Sequence, residues 1–467
     1  MTDLALMPAA ELLRCYRRHT VSPREVADAV LRRIAAFDGA VNAFTLVDEA
    51  AVTRAAAESE SRWMKAAPAG LVDGVPATIK DLVLTAGWPT LRGSLTVARD
   101  QPWAEDAPAT AKLRAHGAVL LGKTTTPEFG WKAVTDSPLT GITRNPWNTR
   151  MTPGGSSGGA AVAAALGMGA LHIGTDGGGS VRIPGAFTGV FGLKPSFGRV
   201  AAYPVSPMGT LSHVGPLTRT VEDAALMLTV IAEPDARDWY QLPYDRRDYR
   251  VGLEDGVRGL KIAFSPDLGH VPVDAEIAAL VADAAAVLAD LGATVERADP
   301  GFASPAAIFR TLWYAGAAQV GRSLSREQRA LLDPGLAQVM AEGDTITAAD
   351  YLQATTERAA LGIRMKQFHQ RYDLLVLPSM PIAAFPAGQE VPDPYNQTRW
   401  MEYAGFTYPF NLTQQPAATV PCGLTAAGLP AGLQIVGPMH RDDLVLRAAR
   451  AFETARPFAL PPSPPPA

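Results

Sequence analysis

The sequence predicts an α/β protein, and three observations carry that prediction. Short apolar runs at Ala77–Leu84 and Ala118–Leu121 are separated by a helix-like stretch, Thr110–His116, the alternation that builds a sheet covered by helices. Strand-like sequence returns late in the chain, at Leu374–Leu377 and within Ala418–Val436, so the C-terminal part completes a sheet begun in the first half. The 467 residues are 47% hydrophobic and 19% charged, enough apolar sequence for a large core and too much for a disordered chain. One interleaved domain over residues 1–456 is the resulting expectation.

Residues 1–60 carry helical spacing. Leu12, Leu13 and Tyr16 mark a first helix, and Ser22-Pro23 supplies an N-cap and a first-turn proline for a second, followed by Val26, Val30 and Ile34. Residues 61–216 hold the short strands and, from Met151 to Pro216, a stretch dominated by Gly, Ala, Ser and Thr. Arg182, Lys194 and Arg199 are almost the only long charged side chains there, so the backbone must approach something closely. Residues 217–373 read as amphipathic helices around Val221–Ala232, Ala275–Leu291 and Ala348–Gln370 with a strand at Leu260–Phe264, either a helical layer or an inserted lobe. Residues 374–456 complete the sheet. Pro457–Ala467 holds six prolines in eleven residues and reads as an extended, poorly ordered tail.

A net charge of −4 without any basic block argues against nucleic acid as a partner. Cys15 and Cys422 lie far apart with no CxxC spacing, which indicates neither a disulfide framework nor a metal site and fits a reducing cytoplasm. The N-terminus lacks the basic and apolar regions of a signal peptide. The most apolar stretch, Ala160–Ile173, falls short of the roughly 20 residues needed to cross a bilayer. A cytoplasmic protein without membrane insertion is expected.

Two motifs mislead. Gly117–Thr124 matches the phosphate-loop pattern GxxxxGK[ST] letter for letter, but its middle residues are apolar and read as a strand preceded by a helix, the reverse of the context a phosphate loop needs. Gly155-Ser-Ser-Gly-Gly159 satisfies the nucleophile-elbow pattern GxSxG with Ser157 at its centre, yet Arg144–Pro153, which precedes it, holds two prolines and no apolar run to make the required strand. The seven histidines sit in no recognisable motif.

Three segments remain. Lys80, one of only eight lysines, lies between apolar residues in Val75–Val83; buried there, its ammonium form would be disfavoured and the amine would become a usable base. The plain alternative is a lysine snorkelling from a strand end. Pro153–Gly159 brackets Ser156 and Ser157 with glycines at the start of a small-residue helix, where anion binding is the rival reading. Gly174–Pro184 follows a strand at Ala170–Ile173 and places three glycines beside Ser180, the makeup of an oxyanion hole next to a nucleophile.

With those residues the chain resembles the amidase signature family, whose hallmark is a Ser–cis-Ser–Lys triad. The two serines stand 24 positions apart, as in that family, inside GGSSGG and GTDxGGS[IV]R-type motifs. Further similarity at Arg144–Trp147, Gly192–Ser196, Arg219–Asp223 and Gly432–Gln434 extends the resemblance over roughly residues 5–455. It implies a single α/β/α domain around a large mixed sheet. It also implies hydrolysis of a small-molecule carboxylic amide through an acyl-enzyme, with Lys80 as base, Ser156 as cis relay and Ser180 as nucleophile. The backbone N–H groups of Gly177, Gly178, Gly179 and Ser180 would form the oxyanion hole, and Ser157, Asp176 and Arg182 would support these loops. No metal or cofactor is implied. Gly177 departs from the pattern, where a larger residue is common. Tyr395–Phe410, with six aromatics in sixteen residues, reads either as a lining for an apolar acyl pocket or as ordinary packing.

Two other functions compete. One is the glutaminase subunit of a tRNA-dependent amidotransferase, although Ser180–Pro184 lacks the Gln that commonly follows the Arg in such subunits. The other is an idle binding protein on the same fold, against which all three triad positions are filled. A homodimer is the commonest default for a soluble oligomer.

Overall fold

A computed structural model describes residues 3–393 and 395–462. Its strands are β1 (Phe44–Val47), β2 (Pro76–Lys80), β3 (Val119–Thr124), β4 (Asp136–Ser137), β5 (Gly141–Ile142), β6 (Leu171–Asp176), β7 (Phe191–Lys194), β8 (His213–Thr218), β9 (Lys261–Phe264), β10 (Thr294–Arg297), β11 (Leu374–Pro378), β12 (Ala417–Leu424) and β13 (Pro430–Val436). β4 and β5 form a small ribbon of their own, and the other eleven make one mixed sheet in the order β1-β3-β2-β6-β8-β7-β12-β13-β11-β9-β10. β2 lies parallel to both β3 and β6, whereas β8, β7, β12 and β13 run antiparallel to their neighbours.

Helices cover both faces. In β11, Leu374 and Val376 join one hydrophobic core while Leu375 and Leu377 join the other, so a continuous apolar run serves a period-two strand buried on both sides. The first core takes α4 (Pro108–Ala115), α7 (Val221–Ile231), α8 (Ala275–Asp290) and α14 (Asp442–Ala455). The second takes α6 (Arg182–Thr188), α9 (Ala306–Gly321), α11 (Pro334–Gly343), which the one-turn α10 (Arg326–Arg329) precedes, α12 (Ala348–Phe368) and α13 (Pro409–Leu412). At the N-terminal end, α1 (Ala9–Arg18), α2 (Pro23–Val41) and α3 (Glu49–Met64) close a further core against β3. The cap foreseen for α2 is complete: Ser22 Oγ accepts from the Glu25 N–H at 3.2 Å, and Glu25 reaches back to the Ser22 N–H at 2.8 Å.

Residues 217–373 are no separate lobe. β9 and β10 form the far edge of the common sheet, and α9, α11 and α12 lie on one of its faces. Sequence periodicity missed α9, whose apolar residues are spread around the helix instead of forming one stripe, α11, whose stripe of Leu336, Val339 and Met340 spans little more than one turn, and the short half-exposed strands β1 and β10. Of the proline-rich tail, residues 457–462 hold no regular element, and Phe458 lies against Trp147 with ring centroids 5.7 Å apart. The expectation for residues 463–467 falls outside the described residues. No described helix is long and apolar enough to cross a membrane.

Candidate active site

β2 ends on Lys80, whose side chain runs into the interior and is fully buried. Its Nζ lies 2.6 Å from Ser156 Oγ, 2.8 Å from Ser157 Oγ and 2.9 Å from Thr175 Oγ1. No carboxylate among the described residues pairs with it, and burial holds its pKa well below the usual lysine value, opposed only by the negative charge of Asp176. Ser156 and Ser157 sit at the mouth of α5 (Gly158–Ala165), with the Gly155–Ser156 peptide cis. The Ser157 hydroxyl donates to the Thr175 carbonyl at 3.1 Å, and the Ser157 N–H donates to the Ser180 carbonyl at 3.1 Å, tying the two glycine-rich segments together. Ser156 and Ser180 line one cavity of about 180 Å³.

The loop from Asp176 to Arg182 is built on a buried ion pair. Asp176 accepts from Arg182 Nη2 at 2.9 Å and Nε at 3.0 Å, and takes the N–H groups of Gly179 and Val181 at 2.8 and 3.1 Å. The charge and hydrogen bonds of Arg182, helped by Lys194 and Asn411, hold its carboxyl well below the usual range despite burial. The Gly179 N–H is therefore spent, which removes it from the four oxyanion donors the sequence suggested. The N–H groups of Gly177, Gly178 and Ser180 make no hydrogen bond to the described residues. Gly179 also has φ +130°, and a Cβ on it would run into Thr407 Oγ1, so only glycine fits.

Sequence reading missed the partners that complete this clamp. Thr407 Oγ1 donates to the Gly178 carbonyl at 2.7 Å; Arg182 donates to the Thr407 carbonyl at 2.8 Å, Asn411 Oδ1 at 2.7 Å and Gln434 Oε1 at 2.7 Å. Asn411 in turn donates to Asp176 at 2.9 Å. The signal was an amide embedded in the apolar run Phe406–Leu412. Five of the six aromatics of that region lie in the second core, with Tyr395 exposed: Tyr408 stacks on Phe309 at 4.7 Å and Trp400 meets Trp313 at 5.6 Å. The cavity is lined instead by segments such as Ala201–Met208 and by Trp313, so the packing reading of Tyr395–Phe410 describes the geometry.

Both decoy motifs fail structurally. Gly122-Lys-Thr124 lies inside the fully buried strand β3, and Lys123 donates to the Val83 carbonyl at 2.5 Å and Thr90 Oγ1 at 2.8 Å. Among the described elements, no strand leads directly into Gly155. Of the buried histidines, His213 Nδ1 is 2.8 Å from the Leu211 carbonyl, to which it donates, so its Nε2 accepts from Lys194 at 3.4 Å.

A family model for amidases matches residues 25–446. An acylamidase of Rhodococcus erythropolis is 38% identical over 98% of this chain and 97% of its own. A glutamyl-tRNA(Gln) amidotransferase subunit from Myxococcus xanthus is 36% identical, covering 98% of each chain. Among solved structures, a bacterial aryl acylamidase of the amidase signature family superposes with a TM-score of 0.91 at 32% identity, covering 98% of both chains. With its mixed eleven-stranded sheet and its lysine-bound serine pair, the chain belongs to the amidase signature family. It is, by class, an amidohydrolase.

Proposed function

We propose that this enzyme hydrolyses a small-molecule carboxylic amide to acid and ammonia or amine through an acyl-enzyme on Ser180. The observation that carries the reading is the buried Lys80 Nζ, 2.6 Å from Ser156 Oγ, at the cavity that Ser180 also lines. Donor accounting supports it. The Ser157 proton is committed to the Thr175 carbonyl, so Ser157 accepts from Lys80; with Thr175 Oγ1 accepting the second hydrogen of a neutral amine, the nitrogen lone pair is left for the Ser156 hydroxyl.

Ser180 Oγ attacks the amide carbonyl carbon, giving its proton to Ser156 Oγ as Ser156 gives its own to Lys80 Nζ. The carbonyl π pair moves onto oxygen, facing the free N–H groups of Gly177, Gly178 and Ser180. Each such donor is worth about 3 kcal/mol in the transition state. On collapse the C–N bond breaks, the departing nitrogen takes a proton from Ser156, and Lys80 restores it. Water then attacks the acyl carbon by the same relay and frees the acid. Ser157, Asp176 and Arg182 hold the two loops.

A fluorophosphonate probe tests the assignment. Label mapped to Ser180 in the parent protein and absent from Ser180→Ala supports it; label on Ser157 contradicts it. The second reading, a glutaminase subunit serving a partner, is favoured by the 36% identity to the amidotransferase subunit. Copurification of a second subunit, with hydrolysis of glutamine only in its presence, would select that reading.

A further inference from the structure

We infer that the substrate carries a carboxylate, set off from the amide by an apolar spacer, and that Arg92 binds it; the inference deepens the Ser180 reading and rests on it. Arg92 is the single charged side chain among the described residues lining the cavity that Ser156 and Ser180 share. Its place is fixed by backbone. The Asp81 carboxylate accepts the N–H groups of Leu91 and Gly93 at 3.2 and 3.4 Å on either side of it, and the Arg92 carbonyl accepts the Phe129 N–H at 2.8 Å. The next residue, Gly130, stands so near the relay serine that a Cβ on it would lie 3.3 Å from Ser156 Oγ.

The guanidinium, in contrast, has nothing to hold. It is half-buried, burial depresses its pKa, and it makes no hydrogen bond or ion pair with any described residue. Other inward-turned arginines, among them Arg182, Arg199, Arg219 and Arg358, each donate to carbonyls or carboxylates. The acid whose charge reaches it, Asp81, is occupied by backbone donors and by Lys123 at 3.9 Å. Arg92 also sits at φ +59°, a left-handed conformation that glycine would take without strain. A partly dehydrated and unpaired arginine, held at a left-handed φ in the wall of the cavity, is a preformed fork for a carboxylate.

The remaining wall narrows the chemistry. Leu82, Val83, Ala109, Trp313 and Val320 are apolar, which suits a hydrocarbon spacer. No acidic side chain is among the described lining residues, so the ammonium of an α-amino acid such as glutamine would enter unpaired. The structure therefore favours a monoanionic amide over a zwitterionic one.

The test compares monoamides of succinic through suberic acid with neutral primary amides of equal chain length, and with glutamine. A charge-assisted pair predicts kcat/KM about 10- to 100-fold higher for the best monoamide than for its neutral counterpart, carried mainly by KM. Arg92→Gly, which suits the local φ, and Arg92→Gln should bring that ratio close to one, with Arg92→Lys between. Calorimetric titration of the same monoamide into Ser180→Ala, and into Ser180→Ala combined with Arg92→Gly, gives a readout free of turnover. Binding in the first and its loss in the second support Arg92 even if neither amide is hydrolysed, the result that would sink the Ser180 reading alone. Equal hydrolysis of charged and neutral amides, a ratio that survives Arg92→Gly, or a preference for glutamine would overturn the Arg92 assignment and leave Ser180 standing.

Discussion

At the scale of single residues, Lys80 makes two pH predictions. As the proposed base it must be neutral, so kcat/KM should fall towards acid pH as the amine protonates, and a flat profile between about pH 5 and 9 would contradict the assignment. The same shift bears on stability. Unfolded lysine titrates near pH 10.4, and the folded pKa lies well below it, so across that window the unfolded chain binds the extra proton and stability rises with pH. Urea unfolding of the parent protein against Lys80→Met at several pH values should show the parent gaining on the variant up to about pH 10. Gly177 offers a steric test. A Cβ there would lie 2.8 Å from Trp313 Cζ3, so Gly177→Thr should cost about 1–3 kcal/mol by overpacking, and Trp313→Leu should recover part of the loss in a double-mutant cycle. Lys80, Ser156 and Ser180 were legible as candidates because each lies in a short contiguous motif. Thr175 was not, because a threonine at the end of a buried strand looks the same whether its hydroxyl meets a lysine or a neighbouring carbonyl.

At the scale of elements, the Asp176–Arg182 loop depends on charge more than on apolar contact. Asp176→Ala leaves a fully buried guanidinium without its carboxylate, and a broken buried pair typically costs about 3–5 kcal/mol. The urea midpoint should drop accordingly, and a change under about 1 kcal/mol would show that Asn411, Gln434 and the Thr407 carbonyl suffice to hold Arg182. β3 yields the opposite kind of prediction. With Lys123 turned into the core beside Asp81, Val83 and Thr90, magnesium–ATP should leave the melting temperature unchanged. Local reading discarded this motif correctly, since a strand period running through Val119–Thr124 is incompatible with a loop that wraps phosphate. It failed for α9, where Phe309, Trp313 and Tyr314 are all buried; the buried residues run most of the way round the helix, which carries no narrow amphipathic stripe to announce it.

At the scale of the molecule, the sheet is not stitched together in chain order. β7 pairs on one side with β8 and on the other with β12, more than two hundred residues later, and β11 pairs with both β13 and β9. Expressed alone, residues 1–216 should not form a cooperative unit, because β7 would lose β12 and the end of β8 that pairs with it, and the Asp176 loop would lose Thr407, Asn411 and Gln434. A soluble 1–216 fragment with a sharp unfolding transition would contradict that. The interleaving was readable from β patterning at both ends of the chain, but the pairings themselves were not, since no local spacing encodes which distant strand lies beside which. The clamp on Arg182 also places the enzyme in time. Gln434 follows Ser180 by 254 positions, and at roughly 5–20 residues per second a ribosome needs some ten to fifty seconds to add them. Throughout that interval the nascent chain already carries Lys80, Ser156 and Ser180 yet lacks the groups that shape their loop, so the Asp176–Arg182 segment cannot take its final form until Gln434 has left the ribosome.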